Sequence, residues 1–184
     1  MKPAFHKNRP SSFGTYSKQT KNNQISSLPF QVIVNISTKS FELFKLSSEM
    51  NYIEFMVAEL QSSDVLYQLN ILELLSRLVI TPHGINYLVK NGILNDISKN
   101  LKDLKANPLG GLLTPGYMKF FGCVAHHYPR EIFDKYPPLL DLLFDTFDSG
   151  DQALLPVALD TFGFIGITIE GKLSLAALVS LKNT

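Results

Sequence analysis

The strongest constraint on this chain is that it repeats itself. Displaced by 87 positions, the sequence lays Asp64 on Asp151, Leu72 on Leu159, Glu73 on Asp160, Leu78 on Ile165, Thr81 on Thr168 and Gly84 on Gly171. An intermediate copy closes the register: Phe121-Gly122-Cys123-Val124-Ala125 falls on Leu75–Val79 at a displacement of 46 and on Phe162–Gly166 at 41. A period in the low forties is that of stacked helical repeats, in which each unit hides its apolar face only against its neighbours. Ser76, Gly122 and Gly163 share one register position and are all small, as closely crossing helices require. The expected fold is all-α, a right-handed alpha-solenoid of armadillo/HEAT-like repeats.

The clearest unit runs from Ser63 to Leu101. Asp64 stands where a helix N-cap belongs, and Leu66, Leu69, Leu72, Leu75, Leu78 and Val79 follow at helical spacing, so a long helix should begin at Val65 and stop before Pro82. A short amphipathic turn through Ile85, Leu88 and Val89 follows, ended by Asn91-Gly92. A third helix should then bury Ile93, Leu94, Ile97, Leu101 and Leu104.

Residues 1–28 are rich in Ser, Asn, Gln and Lys without periodicity, and are expected to be a disordered basic tail. Its dispersed bases suit a solvated tail better than a nucleic-acid or localisation signal. Residues 29–184 should hold about three to four repeats, cut short at both ends. Phe30–Ser37 has the β-branched composition of a strand, but Thr38 aligns with Thr81, which makes it the end of a long helix. Ser40–Lys45 is then expected as a short helix and Ser48–Gln61 as the next. Pro108, Gly110, Gly111 and Pro115 predict a loop over Ala106–Pro115, with a helix opening at Pro115 and running to His127. Helices are further expected over Arg130–Lys135, Leu139–Phe147 and Leu173–Leu181, with Pro156 bending or starting the helix of the last repeat.

Five of the 17 basic residues and none of the 16 acidic ones lie in the tail, so the remainder is net acidic by four charges, the wrong sign for a nucleic-acid-binding solenoid. No apolar segment follows Met1, so no signal peptide is expected. Asp160, Glu170 and Lys172 interrupt the apolar run Ala153–Leu181, each costing about 2.5–3.5 kcal/mol at a bilayer centre, which excludes a membrane reading. The single Cys123 forms no internal disulfide, which either suits a reducing compartment or carries no information about it.

Cys123 and His127 share a helical face and, with His83 and His126, are what a metal or thiol site would use. Cys123 sits among Phe120, Phe121 and Val124, however, where a cysteine serves as a small hydrophobe. The glycine pairs Gly110-Gly111 and Gly163/Gly166 lack the strand-to-helix context of a phosphate loop. No enzyme activity, metal or cofactor is expected.

The stretches SSDVLYQLNILELLSRLVITPHGINYLVKNGIL, PGYMKFFGCVA and ALDTFGFIGITIEGK resemble the family of 26S proteasome non-ATPase regulatory subunit 5 chains, assembly chaperones of the proteasome regulatory particle. The strings HGINYLVKNG and VALDTFGFIGITIEGK are its most specific parts, and the likeness covers roughly Glu49 to Lys172. It breaks off over LSLAALVSLKNT, and the family's chains are much longer, so it implies an interior portion or a shortened form. What it implies for function is an ATP-independent chaperone for assembly of the regulatory-particle base, cytoplasmic with a nuclear share. Its partners would be the C-terminal region of a proteasomal ATPase subunit and other base subunits. The alternative is a general solenoid scaffold or adaptor, for example in nuclear transport.

With Leu60, Leu101 and Phe147 taken as equivalent core positions, the exposed rows on the third helices are Glu54, Asn95 and Asp141, then Ala58, Lys99 and Asp145. These rows are the expected partner-binding face.

The ends carry a further expectation. Val32, Val34 and Ile36 at one end, and Leu173, Leu175, Leu178, Val179 and Leu181 at the other, have no further repeat to cover them. Each exposed Leu or Val forgoes about 1.5–3 kcal/mol of burial, against a net stability of about 5–15 kcal/mol for a whole domain. The isolated chain should therefore self-associate as concentration rises, and light scattering across a dilution series measures it. A monomer that persists at high micromolar concentration with a sharp thermal transition would show both ends to be covered.

Overall fold

The computed structural model describes residues 23–104 and 106–182. The expected tail therefore lies outside the described residues up to position 22, and from Asn23 the chain is already helical. Eleven α-helices follow one another among the described residues, with no strand. They are α1 (Asn23–Ser37), α2 (Phe41–Glu49), α3 (Tyr52–Ala58) with a 3-10 turn at Glu59–Gln61, α4 (Val65–Val79), α5 (Pro82–Lys90) and α6 (Ile93–Asp103). Then come α7 (Gly110–His127), α8 (Pro129–Lys135), α9 (Pro137–Ser149), α10 (Leu155–Ile165) and α11 (Ile169–Lys182). None of the helices described is long and apolar enough to cross a membrane.

The packing is a row. α1 lies on α4, α4 on α7, and α7 on α10, while α6 packs on α9, α2 on α5, and α8 on α11. A helix inside the row must be apolar on two sides, and α4 is: Ile71, Leu72, Leu74, Leu75, Leu78 and Val79 are all buried. Leu66, expected in this stripe, is instead 71% exposed, because the buried arc of the first turn runs through Gln68. Gln68 is held there by a hydrogen bond from Nε2 to the Ser62 carbonyl. Tyr117, Phe120 and Phe121 fill the interior from α7.

The capping chemistry of the reference unit is as its residues dictate. Asp64 accepts from Tyr67 N at 3.1 Å, and Gly92 takes the left-handed conformation (φ 71°) between α5 and α6. Thr81 caps α5, accepting from Gly84 N at 3.2 Å while its own hydroxyl donates to Leu78 O at 2.8 Å. At Gly84 a Cβ would stand 2.1 Å from the Leu78 carbonyl oxygen. The same junction recurs two periods later: Thr168 accepts from Gly171 N at 3.0 Å, and a Cβ on Gly171 would lie 2.0 Å from Ile165 O. This Thr-x-x-Gly unit lets a second helix begin against the last carbonyls of the first.

Several boundaries differ from the sequence expectation. α2 extends to Glu49, and the break before α3 falls at Asn51, which adopts φ 57°. α2 is capped by Ser40 and not by Thr38, although the Thr38 hydroxyl, like that of Thr81, donates to the carbonyl three residues back. The loop expected up to Pro115 ends earlier: α7 starts at Gly110 and carries Pro115 within it. Gly110 can begin there because its missing side chain lets it approach within 1.8 Å (ideal Cβ) of the Leu104 carbonyl, and its N–H donates to Asn107 O at 2.8 Å. Pro156 lies in the first turn of α10, so it marks a start and no bend. After Thr168 the chain forms one continuous helix, α11, where the first unit has two, since no Asn-Gly interrupts it.

At the ends, Val32 and Ile36 are exposed while Val34 is buried. Leu173 and Val179 are exposed, and Leu175 and Leu178 pack partly against the core; the side chain of Leu181 lies outside those described.

The glycines predict opposite outcomes for one substitution. Gly84→Ala and Gly171→Ala each drive a methyl into backbone and should lose about 1–3 kcal/mol. Gly163, helical with open space around its Cβ position, should gain about 0.5–1 kcal/mol as Ala. Thermal melts should show these as shifts of about 2–4 °C per kcal/mol for a chain of this size.

Candidate partner-binding face

Where α4, α7 and α10 lie side by side, their outer surfaces enclose a groove of about 570 Å³. Its floor is made of small residues: Ser76 on α4, Gly116 and Gly122 on α7, and Thr161 on α10. The helices approach closely for that reason. A Cβ on Gly116 would stand 2.7 Å from Leu69 Cδ2, and one on Gly122 would stand 2.9 Å from Thr161 Cγ2. Gly163, the third small position in the register, has no such neighbour. The floor hydroxyls are turned inward, Ser76 donating to Leu72 O at 2.8 Å and Thr161 to Val157 O at 2.7 Å. Leu69, Pro115, Val157 and Phe164 supply apolar walls.

The rim is charged in alternation. Glu73, Lys119 and Asp160 are exposed, one from each helix. They occupy one position of the repeat register, in which Lys119 is the intermediate copy of the Glu73–Asp160 match. That displacement was readable in the sequence; that the three side chains face one groove was not. Among the described residues no ion pair joins them.

Cys123 also lines this groove, half-buried, its thiol pushed up by burial and drawn partly back by Lys119. Such a thiol is a weak nucleophile at neutral pH. His126 donates from Nδ1 to Phe164 O at 3.2 Å and stacks on the Phe164 ring at 4.5 Å. His127 is held below the usual histidine range by burial and by His126. No group of three or more His, Cys, Asp or Glu side chains converges among the described residues.

The residues expected to bind a partner divide into two sets. Asn95 and Lys99 are exposed on α6, and Asp141 and Asp145 are exposed on α9, against which α6 packs. Lys99 is engaged by Asp96 at 2.7 Å. Ala58 is exposed at the end of α3, and Gln61 beyond it donates from Nε2 to Asn100 Oδ1 of α6 at 3.2 Å. Glu54 does not join this face. It is half-buried and turned toward α5, where Tyr87 donates its hydroxyl to Oε1, while Oε2 is buried with no hydrogen-bond partner among the described residues.

A second hollow of about 540 Å³ lies between α2 and α5, bounded by Phe41, Phe44, Lys45, Pro82, His83 and Lys90. His83 is fixed there by a 2.8 Å bond from Nε2 to Ser37 O and by the Phe44 ring at 4.7 Å. It joins α5 to the end of α1, a role its position before Gly84 did not disclose.

The chain matches the family model of the proteasome non-ATPase 26S subunit over residues 13–184. It is 33% identical to mouse 26S proteasome non-ATPase regulatory subunit 5 over 144 residues, covering 78% of this chain and 29% of the mouse protein. The human protein of the same name is 31% identical over the same lengths. That of Drosophila melanogaster is 34% identical over 146 residues, 79% of this chain and 28% of its own. The chain thus spans under a third of the length of these curated relatives. No solved structure matches it.

The Glu54–Tyr87 contact yields a test of how α3 is held to α5. Burial and the Glu54 carboxylate together push the Tyr87 hydroxyl above the usual tyrosine range. The neutral phenol is therefore favoured in the folded state, and this contribution should be present below about pH 10 and decline above it. Tyr87→Phe leaves a buried carboxylate unpaired and should cost about 1–3 kcal/mol in urea unfolding. Adding Glu54→Leu should recover part of that loss, since neither polar atom then remains buried alone.

Proposed function

The chain belongs to the proteasome non-ATPase 26S subunit family, and on that premise we propose that it is an ATP-independent chaperone of the regulatory-particle base. In this reading it captures a proteasomal ATPase subunit by its C-terminal region and holds it, with other base subunits, until assembly proceeds. The row of long helices is read as an armadillo/HEAT-like right-handed solenoid, working in the cytoplasm with a nuclear share. The matched stretch is 29% of the mouse relative, so this chain would carry one segment of that surface.

The observation that carries the assignment is the groove over α4, α7 and α10, the place where three long helices contribute to one concave, partly apolar, charge-rimmed channel. Interfaces that hold another protein need such continuity, with small residues admitting the partner and charges setting its register. A second reading places capture on the α6–α9 face, and the exposed carboxylates of Asp141 and Asp145 favour it.

Affinity capture with the tagged chain, read by mass spectrometry, tests both. Enrichment of ATPase subunits of the proteasome base is expected; recovery of nuclear-transport factors in their place would support the general adaptor. Lys119→Glu should reduce ATPase capture severalfold with helical content unchanged, whereas Asp141→Lys/Asp145→Lys should leave it largely intact. The opposite result would move the site to α6 and α9, with Asn95 and Lys99 as its other members.

A further inference from the structure

We propose that the groove over α4, α7 and α10 binds a proline-rich segment in the polyproline II conformation, presenting a cation, an anion and a cation at positions i, i+3 and i+6. This rests on the groove being the capture face and names the chemistry it reads.

The spacing comes first. Glu73, Lys119 and Asp160 stand at one register position on three stacked helices, and stacked helices lie about 8–10 Å apart. A polyproline II chain rises about 3.1 Å per residue with three residues per turn, so every third side chain returns to the same face after about 9 Å. A β-strand repeats its facing side chain after two residues, about 7 Å, and its third residue points away. An occupant in polyproline II geometry stays in step with all three rungs, and a strand does not.

The floor makes the same choice. A docked strand needs partners for its N–H and C=O groups, but Gly116 and Gly122 carry no side chain, and the Ser76 and Thr161 hydroxyls donate to carbonyls of their own helices. A polyproline II backbone needs no such partners, because it stays solvated, and its proline rings have no N–H to satisfy. The rings suit the apolar walls of Leu69 and Val157.

The charges then set the code. The alternation of Glu73, Lys119 and Asp160 is complementary to plus, minus, plus, and none of the three is neutralised by another among the described residues. The pattern is symmetric, so it reads alike in either chain direction.

The test uses blocked, fluorescein-labelled KPPEPPK and its isomer KPPKPPE, which have equal composition and net charge, titrated with the purified chain and followed by anisotropy. At low ionic strength KPPEPPK should bind about tenfold tighter, from three exposed pairs attractive in one peptide and mostly repulsive in the other, and the difference should shrink in 0.5 M salt. The exposed triple substitution Glu73→Lys/Lys119→Glu/Asp160→Lys should invert the preference with circular dichroism unchanged. KGGEGGK should bind more weakly than KPPEPPK, lacking the preformed conformation. Equal affinity for the two isomers, absence of saturation by either, a preference that survives the triple substitution, or equal binding of the glycine peptide would overturn the proposal. If the isomers are not distinguished while ATPase capture still depends on Lys119, the peptide code alone is wrong; if they are distinguished and no ATPase is captured, the assigned partner alone is wrong.

Discussion

The close approach of the long helices is the constraint on which everything else depends. α4 and α7 each have a neighbour on both sides, so each must be apolar over most of its circumference and small where its neighbours cross. Gly116 against Leu69 and Gly122 against Thr161 meet that condition, with ideal Cβ positions inside 3.0 Å of a facing side chain. Larger residues there would push the row apart, open gaps beside Phe120 and Phe121, and forfeit dispersion contacts that close packing supplies. The same small residues form the floor of the groove. Packing and recognition thus draw on one set of positions.

The second recurring device is the junction at the ends of α4 and α10. In both Thr81-x-x-Gly84 and Thr168-x-x-Gly171 the threonine hydroxyl accepts from an amide of the next helix, and that of Thr81 also donates to a carbonyl of the finished one. Orphan groups at a helix start are thereby satisfied locally, and the glycine allows the next helix to turn away at once. The junction lets α5 begin directly after α4, and α11 directly after α10. His83, within the first of these junctions, ties it to the end of α1 by binding the Ser37 carbonyl.

A solenoid built this way separates stability from recognition in a simple manner. The buried arcs are almost wholly hydrocarbon, and the hydroxyls inside them, Ser76, Thr114 and Thr161 among them, donate to carbonyls of their own helices. Charges are left to the rims, where substitution changes the field without disturbing the core. Glu54 is the exception: a carboxylate drawn partly inside and held by Tyr87, which ties α3 to α5 at the cost of a buried, unpartnered oxygen.

The sequence by itself determined the helices and their recurrence. Asp64, Thr81 and Gly92 act as end signals whose chemistry is local, so their roles follow from neighbours within four residues. The displacement that superimposes Glu73, Lys119 and Asp160 was likewise present in the order of residues. Tertiary structure decided which side of each helix faces what. Leu66 has the right period and still lies in solvent; Glu54 shares a register with Asn95 and Asp141 and yet turns to another helix. Pro115 reads as a helix start but lies inside α7, because Gly110 can meet the carbonyl of Leu104 across the bend. Periodicity specifies the angular spacing of side chains around one helix, whereas the zero of that angle is set by neighbours distant in sequence. The groove exists only once three helices have chosen it together.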